Sequence, residues 1–172
     1  LDAWRQILPE LAGQDCPPVV LELVGRGPWR TRLLREAAGF PSGTVRVRDA
    51  VPHREMPRVL EGARAFALPV RSRWPGLEPE GLGMAFVEAA ACALPVVAGR
   101  SGGTPETVDQ GLSGWCLDPD DTAAWAEALL RLVTEPELAR RLGAYGRDQV
   151  APRFSQVRTR RALRAALEIP QK

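Results

Sequence analysis

Glu80–Glu106 reads EGLGMAFVEAAACALPVVAGRSGGTPE, and this stretch decides the fold. It opens on a turn punctuated by Gly81 and Gly83, continues in a helical pattern over about Leu82–Cys92, and enters an apolar strand at Val96–Gly99. A second glycine pair then leads to a short helix at Pro105–Val108. A helix that feeds into a wholly apolar strand is the repeating unit of a parallel sheet buried on both faces.

The alternation extends in both directions. Upstream, Val19–Val24 (VVLELV), Val45–Val47 and Ala65–Pro69 predict strands, with helical spacing around Leu33 and Leu34 and again through Met56, Val59 and Leu60. Downstream, strand Gly114–Leu117 precedes an amphipathic helix over Thr122–Val133. Beyond it Thr134 and Glu137 have capping-box spacing, Pro136 suits a first helical turn, and Ser155 can cap a last helix running to Glu168. The expected fold is α/β, a Rossmann-like parallel sheet with helices on both faces and a helical C-terminal tail. Residues 1–154 are assigned to the domain and 155–172 to the final helix and tail. Because the first helix has no strand ahead of it and the chain opens at Leu1, it is read as part of a longer chain, with the sheet lacking its first strand.

Composition narrows the function. Hydrophobic residues at 45% and charged residues at 26% fit a soluble globular domain. The 23 basic and 21 acidic residues nearly cancel, to +2, which argues against a dedicated nucleic-acid binder. Lys172 is the only lysine, and with the Ala, Gly and Pro richness this reads as the imprint of a GC-rich bacterial genome. Cys16, Cys92 and Cys116 are odd in number and far apart, and His53 is the only histidine, so no metal cage is expected and the thiols read as reduced. No apolar run approaches a membrane span and no signal-peptide pattern occurs, so a cytoplasmic protein without transmembrane segments is expected.

The chemistry sits where the argument began. With a helix starting near Leu82, the amides of Gly83, Met84 and Ala85 point out of its N-terminus, and together with the helix dipole they suit a diphosphate. Gly81 and Gly83 let a ligand approach the backbone. Glu88, on the second turn, can accept hydrogen bonds from a ribose diol; Glu80, ahead of the helix, can hold sugar hydroxyls beyond the phosphates. Open α/β sheets bind ligands at this place, outside the carboxyl ends of the strands. The plainer reading of each residue alone is a dipole-complementing acid or a chain-turning glycine.

The whole string resembles a known family. Glu80 to Glu88 fits the E-x7-E signature of retaining GT-B glycosyltransferases, the group that includes sucrose synthases and many bacterial mannosyltransferases. ACALPVVAGRSGGTPETV (91–108) and GLSGWCLDP (111–119) are similar to the family's sheet and loop pattern, and a looser likeness runs from Val19 to the Arg153-Phe154-Ser155 tail. The loop RSRWPGLEPEGLG (Arg71–Gly83) looks most like GDP-mannose-dependent mannosyltransferases acting on phosphatidylinositol mannosides.

The resemblance implies a donor-binding C-terminal domain that takes a GDP- or UDP-linked sugar and transfers a hexose to an alcohol with retention, without a metal or other cofactor. It implies that Glu80 contacts the donor sugar as the catalytic-site carboxylate, that Glu88 holds the ribose, and that the amides of Gly83, Met84 and Ala85, next to Gly81, lie by the diphosphate. Gly25 and Gly27 match a glycine turn near the nucleotide, and Ala50 and Val51 a strand end beside the base. Arg71 and Arg73 lie where relatives carry a basic loop near the site; a solvated loop is the other reading. The acceptor, a lipid or glycan, belongs to an N-terminal domain expected to be missing from this chain, along with an Arg and a Lys that bind the diphosphate. The isolated chain is therefore expected to transfer nothing, and the parent to work in the cytoplasm, at the inner membrane face if its acceptor is a lipid. Asp49 and Ala93 stand where the family usually has glycine.

Two other classes are compatible with the fold: a nucleotide-sugar 2-epimerase, whose additional His and carboxylate residues are not found, and a non-catalytic nucleotide-binding or interaction module, which need not keep both carboxylates. Gly25-x-Gly27 lacks the third glycine of a dinucleotide fingerprint. His53 reads as solvent-exposed, Trp4, Trp115 and Trp125 as packing, and Arg158, Arg160, Arg161 and Arg164 as a solvated or interdomain face.

Overall fold

Every apolar run that predicts a strand forms one, and every strand pairs in parallel. The computed structural model describes residues 1–14, 17–72 and 78–167. In it β1 (Leu21–Val24) pairs with β2 (Val45–Arg48), Leu21 opposite Val45. A second block holds β3 (Phe66–Leu68), β4 (Val96–Gly99) and β5 (Gly114–Leu117) in that order, with Val96 opposite both Phe66 and Gly114. All four residues of β4 are buried, as expected of a strand covered on both faces.

The expectation of one continuous sheet is met in two parts. β1 and β3 each pair along one side only, and among the described residues no strand joins the two blocks. Helices join them instead. α1 (Asp2–Ala12) buries Trp4, Ile7 and Leu11 at helical spacing, and packs with Ala126 and Val133 of the last long helix over Leu21 and Val45. That long helix is separated from α1 in sequence by α2 (Arg30–Ala37), α3 (Met56–Glu61) and α4 (Met84–Ala91). It is α5 (Thr122–Thr134), which also packs Trp125, Ala128 and Leu132 against Val97 of the second block. One helix thus buries side chains against both blocks. On the opposite face Leu60 of α3 and Phe86 and Ala89 of α4 close over Val96, Ala98 and Cys116. The buried indoles have partners: Trp4 Nε1 donates to Thr44 O at 3.1 Å and Trp125 Nε1 to Asp118 O at 2.8 Å.

Beyond α5 the described chain is helical: α6 (Pro136–Tyr145), one wider π turn over Gly146–Val150, a 3₁₀ turn over Ala151–Phe154, and α7 (Gln156–Ala166). Ser155 caps α7, its Oγ accepting from Arg158 N–H at 3.3 Å; Glu168, the expected end, lies outside the described residues. α7 buries none of its residues. The expected capping box does not form. Thr134 ends α5 and donates its hydroxyl back to Leu130 O at 2.9 Å, leaving Glu135 as the uncapped N-cap of α6. Turned back onto its own helix, the Thr134 hydroxyl oxygen does not accept the Glu137 N–H.

Candidate functional site

α4 begins at Met84 rather than Leu82, because Gly83 takes the N-cap position with φ +76°. Only glycine is at ease there, and an added Cβ would lie 2.5 Å from the Phe86 ring. No side chain caps this helix. Its first amides therefore face outward with the positive end of the helix dipole behind them. Gly83 is buried, Ala85 half-buried and Met84 exposed. Glu80 is half-buried just ahead of the helix; Glu88 stands on its second turn, 38% exposed.

The loops after β2 and β4 reach this helix and the residues just ahead of it. Ala50 and Val51 follow β2, and two residues further His53 brings Nε2 to 3.7 Å from Glu88 Oε1. Gly25 follows β1 and donates its N–H to Arg48 O at 3.2 Å. Asp49, just past β2, accepts from Arg30 Nε at the start of α2 at 2.8 Å. Asp49 thus forms an ion pair on the surface, 78% exposed. Gly27 is exposed, with open space on the side a Cβ would take. Arg71 follows β3 and pairs with Asp120 at 3.0 Å on an exposed surface. Arg73 lies outside the described residues, as does Cys16.

Sequence reasoning missed the turn Ser101–Thr104. The Glu80 N–H donates to Ser101 Oγ at 3.1 Å, and Gly103 N–H is shared between Glu80 O at 3.2 Å and Gly81 O at 3.0 Å. The available signal was the Gly-Gly pair after an apolar strand, a mark of close backbone approach.

Cys116 is buried and Cys92 half-buried against the same apolar cluster. Burial first, and then the negative charges of Glu61 and Glu88, push the Cys92 thiol above its ordinary pKa. Trp4 and Trp125 are core and Trp115 half-buried, as expected; the exposed reading of His53 also holds. Among the described residues no group of three or more His, Cys, Asp and Glu is placed to hold a metal ion, and no helix is long and apolar enough to cross a membrane.

The architecture is that of the GT-B glycosyltransferases. The crystal structure of TarM superposes with a TM-score of 0.76 over 98% of this chain and 30% of its own, at 18% identity. That of Anabaena Alr3699/HepE in complex with UDP and glucose gives 0.73 over 95% of this chain and 44% of its own, at 22% identity. Within that class, the chain belongs to the family described as glycosyl transferases group 1, which matches residues 2–149. It is 41% identical over 168 residues to a GDP-mannose-dependent alpha-(1-6)-phosphatidylinositol monomannoside mannosyltransferase of Mycolicibacterium smegmatis, covering 96% of this chain and 43% of the relative. A Corynebacterium glutamicum enzyme, a GDP-mannose-dependent monoacylated alpha-(1-6)-phosphatidylinositol monomannoside mannosyltransferase, is 37% identical over 154 residues, 90% of this chain and 40% of its own. The chain thus spans less than half the length of these relatives.

Proposed function

We propose that this domain binds the nucleotide-sugar donor of a retaining hexosyltransferase, with GDP-mannose as the donor and a lipid-linked alcohol as the acceptor. One observation carries the reading: Glu80 and Glu88 stand on either side of an uncapped, glycine-started helix N-terminus that the loops after β2 and β4 approach. The relatives' names support the sugar, the base and the lipid.

In this reading the diphosphate rests on the amides of Gly83, Met84 and Ala85, Glu88 accepts from the ribose hydroxyls, and Glu80 accepts from the hexose hydroxyls. Gly25, Gly27, Ala50 and Val51 border the nucleoside, and Arg71 belongs to a basic loop near the site. As the glycosidic bond to the diphosphate breaks, negative charge grows on the leaving group. Fixed amide dipoles stabilise that charge without reorganising, and this chemistry proceeds without a metal. The acceptor is brought by a second domain, and closure of the two completes the reaction centre. A lipid acceptor places the enzyme at the cytoplasmic membrane surface.

The test is calorimetric titration of the chain with GDP, UDP and ADP, alongside Glu88→Ala. Preferential binding of GDP, weakened by the substitution, supports the reading. Equal affinity for wild type and variant would remove Glu88 from the site.

A further inference from the structure

Glu80 is held by its backbone, and the group that holds it lies on a different loop. Ser101 sits just past the end of β4 and is 4% exposed. Its hydroxyl accepts the Glu80 N–H at 3.1 Å and shares a second hydrogen bond, 2.9 Å long, with the hydroxyl of Ser72 on the loop after β3. Ser101 is itself fixed. Its N–H donates to Thr104 Oγ1 at 3.0 Å, and the fully buried Thr104 donates that hydroxyl to Gly99 O at 2.7 Å. From the other side Gly103 N–H reaches the carbonyls of Glu80 and Gly81. Both backbone polar groups of Glu80 are therefore bound by one turn.

The turn's glycines make this approach possible. A Cβ on Gly102, at φ +51°, would fall 1.8 Å from Glu80 O, and one on Gly103 2.3 Å from Gly81 O. A polar chain thus runs from the end of the buried strand β4, through Thr104 and Ser101, to Glu80 on one side and Ser72 on the other. Glu88 stands outside it, carried by α4.

We propose that Ser101 is a positioning residue for the donor sugar: its hydroxyl sets where Glu80 stands relative to the α4 N-terminus and couples that placement to the Ser72 loop. This rests on the reading in which Glu80 meets the donor hexose. Displacing a substrate-positioning group by about 1 Å is enough to cost on the order of 100-fold in rate, so a buried hydroxyl that fixes its backbone has leverage. The role concerns the sugar half of the donor only, because Glu88 and the helix amides hold the nucleotide half.

The test uses the full polypeptide that carries these residues, as wild type and as Ser101→Ala, Ser101→Thr, Ser72→Ala and Glu80→Ala. GDP-mannose, GDP, UDP-glucose and UDP are titrated by calorimetry, and Tm is measured in parallel. The readout is the ratio of nucleotide-sugar to nucleotide Kd for the pair that binds wild type. Ser101→Ala is expected to worsen that ratio about tenfold, the upper end for one lost hydrogen bond, with nucleotide Kd changed less than about twofold. Ser101→Thr keeps the hydroxyl and recovers most of the loss. Ser72→Ala, an exposed change that spares the fold, moves the ratio the same way by about threefold. If Ser101→Ala and Ser72→Ala leave the ratio unchanged, or weaken nucleotide and nucleotide-sugar equally, while Glu80→Ala worsens it, the positioning role is overturned and the donor-site reading stands. If Glu80→Ala also leaves it unchanged, or neither nucleotide-sugar binds wild type, the donor-site reading fails and the positioning role with it.

Discussion

The imidazole Nε2 of His53 lies 3.7 Å from Oε1 of Glu88, which brings the loop after β2 onto the second turn of α4. The contact is lopsided. His53 is 84% exposed whereas Glu88 is 38% exposed, so the histidine covers one carboxylate oxygen from the solvent side without being held. An exposed pair of this kind contributes little to stability. Its interest lies in placement, since it brings the segment after Ala50 and Val51 to the carboxylate assigned to the ribose.

His53 and Glu88 should therefore separate in nucleotide titrations. Glu88→Ala removes a charged acceptor, and the expected loss of GDP affinity is about tenfold or more. His53→Ala leaves the carboxylate in place and should change affinity by less than about threefold. Calorimetry on both variants checks the pair. Equal losses would mean that His53 contacts the nucleotide directly.

Gly83 and Gly81 make a second contrast, on stability. Gly83→Ala puts a methyl 2.5 Å from the buried Phe86 ring at a φ of +76°, so destabilisation of about 2 kcal/mol is expected in urea unfolding. Gly81→Ala meets nothing within 4 Å and should change stability by less than about 0.5 kcal/mol. A similar cost at both positions would contradict the packing described for the α4 N-terminus.

How much of this was readable in advance follows from the range of each interaction. Val96–Gly99 and Gly114–Leu117 are strands at the expected bounds, because their apolar character is local. The start of α4 differs by two residues, because Gly83 takes a left-handed φ at the N-cap, which apolar periodicity does not report. The division into two blocks, with α5 packed on both, depends on contacts between Leu21 or Val45 and residues far along the chain. Of the proposed site, Glu80, Glu88 and the helix amides could be named together because they lie in one short string. The Ser101 and Ser72 hydrogen bonds and the His53–Glu88 contact could not, because each crosses a gap in sequence that no spacing rule bridges.

Cys92 offers a pH-dependent reporter of Glu88. Its thiol is raised by burial first and by the charges of Glu61 and Glu88 after that. Only the thiolate is alkylated, so at any mildly alkaline pH Cys92 should react more slowly in the folded chain than in urea, with the rate climbing as pH rises. Glu88→Gln should move the folded profile to lower pH, by less than the burial effect. The sign for stability follows. A thiol with a raised folded pKa favours the native state below the ordinary thiol pKa, and that contribution is lost as pH rises towards the folded value. Iodoacetamide labelling of the Cys92 peptide, followed by mass spectrometry, measures the profile; no shift in Glu88→Gln would show that the carboxylate charge does not reach the thiol.

Ala93 is the one non-glycine among the described residues with positive φ, at +58°, and it follows directly on Cys92, the C-cap of α4. An L-residue pays roughly 1–2 kcal/mol for the left-handed conformation, and glycine gives back part of the gain through its greater freedom in the unfolded chain. Ala93→Gly should therefore stabilise the fold by about 0.5–1 kcal/mol, seen as a higher urea midpoint at unchanged m value. The backbone carbonyl at this position is packed by Gly143 of α6, where an added Cβ would come within 1.9 Å of Ala93 O. Gly143→Ala must push that carbonyl away and should destabilise by about 2 kcal/mol or more. The two changes touch one peptide, so their effects should not simply add: once Ala93→Gly frees the backbone to shift, Gly143→Ala should cost less than it does alone. A double-mutant cycle measures that difference, and strict additivity would mean that the α4 C-terminus cannot relax even with glycine in place.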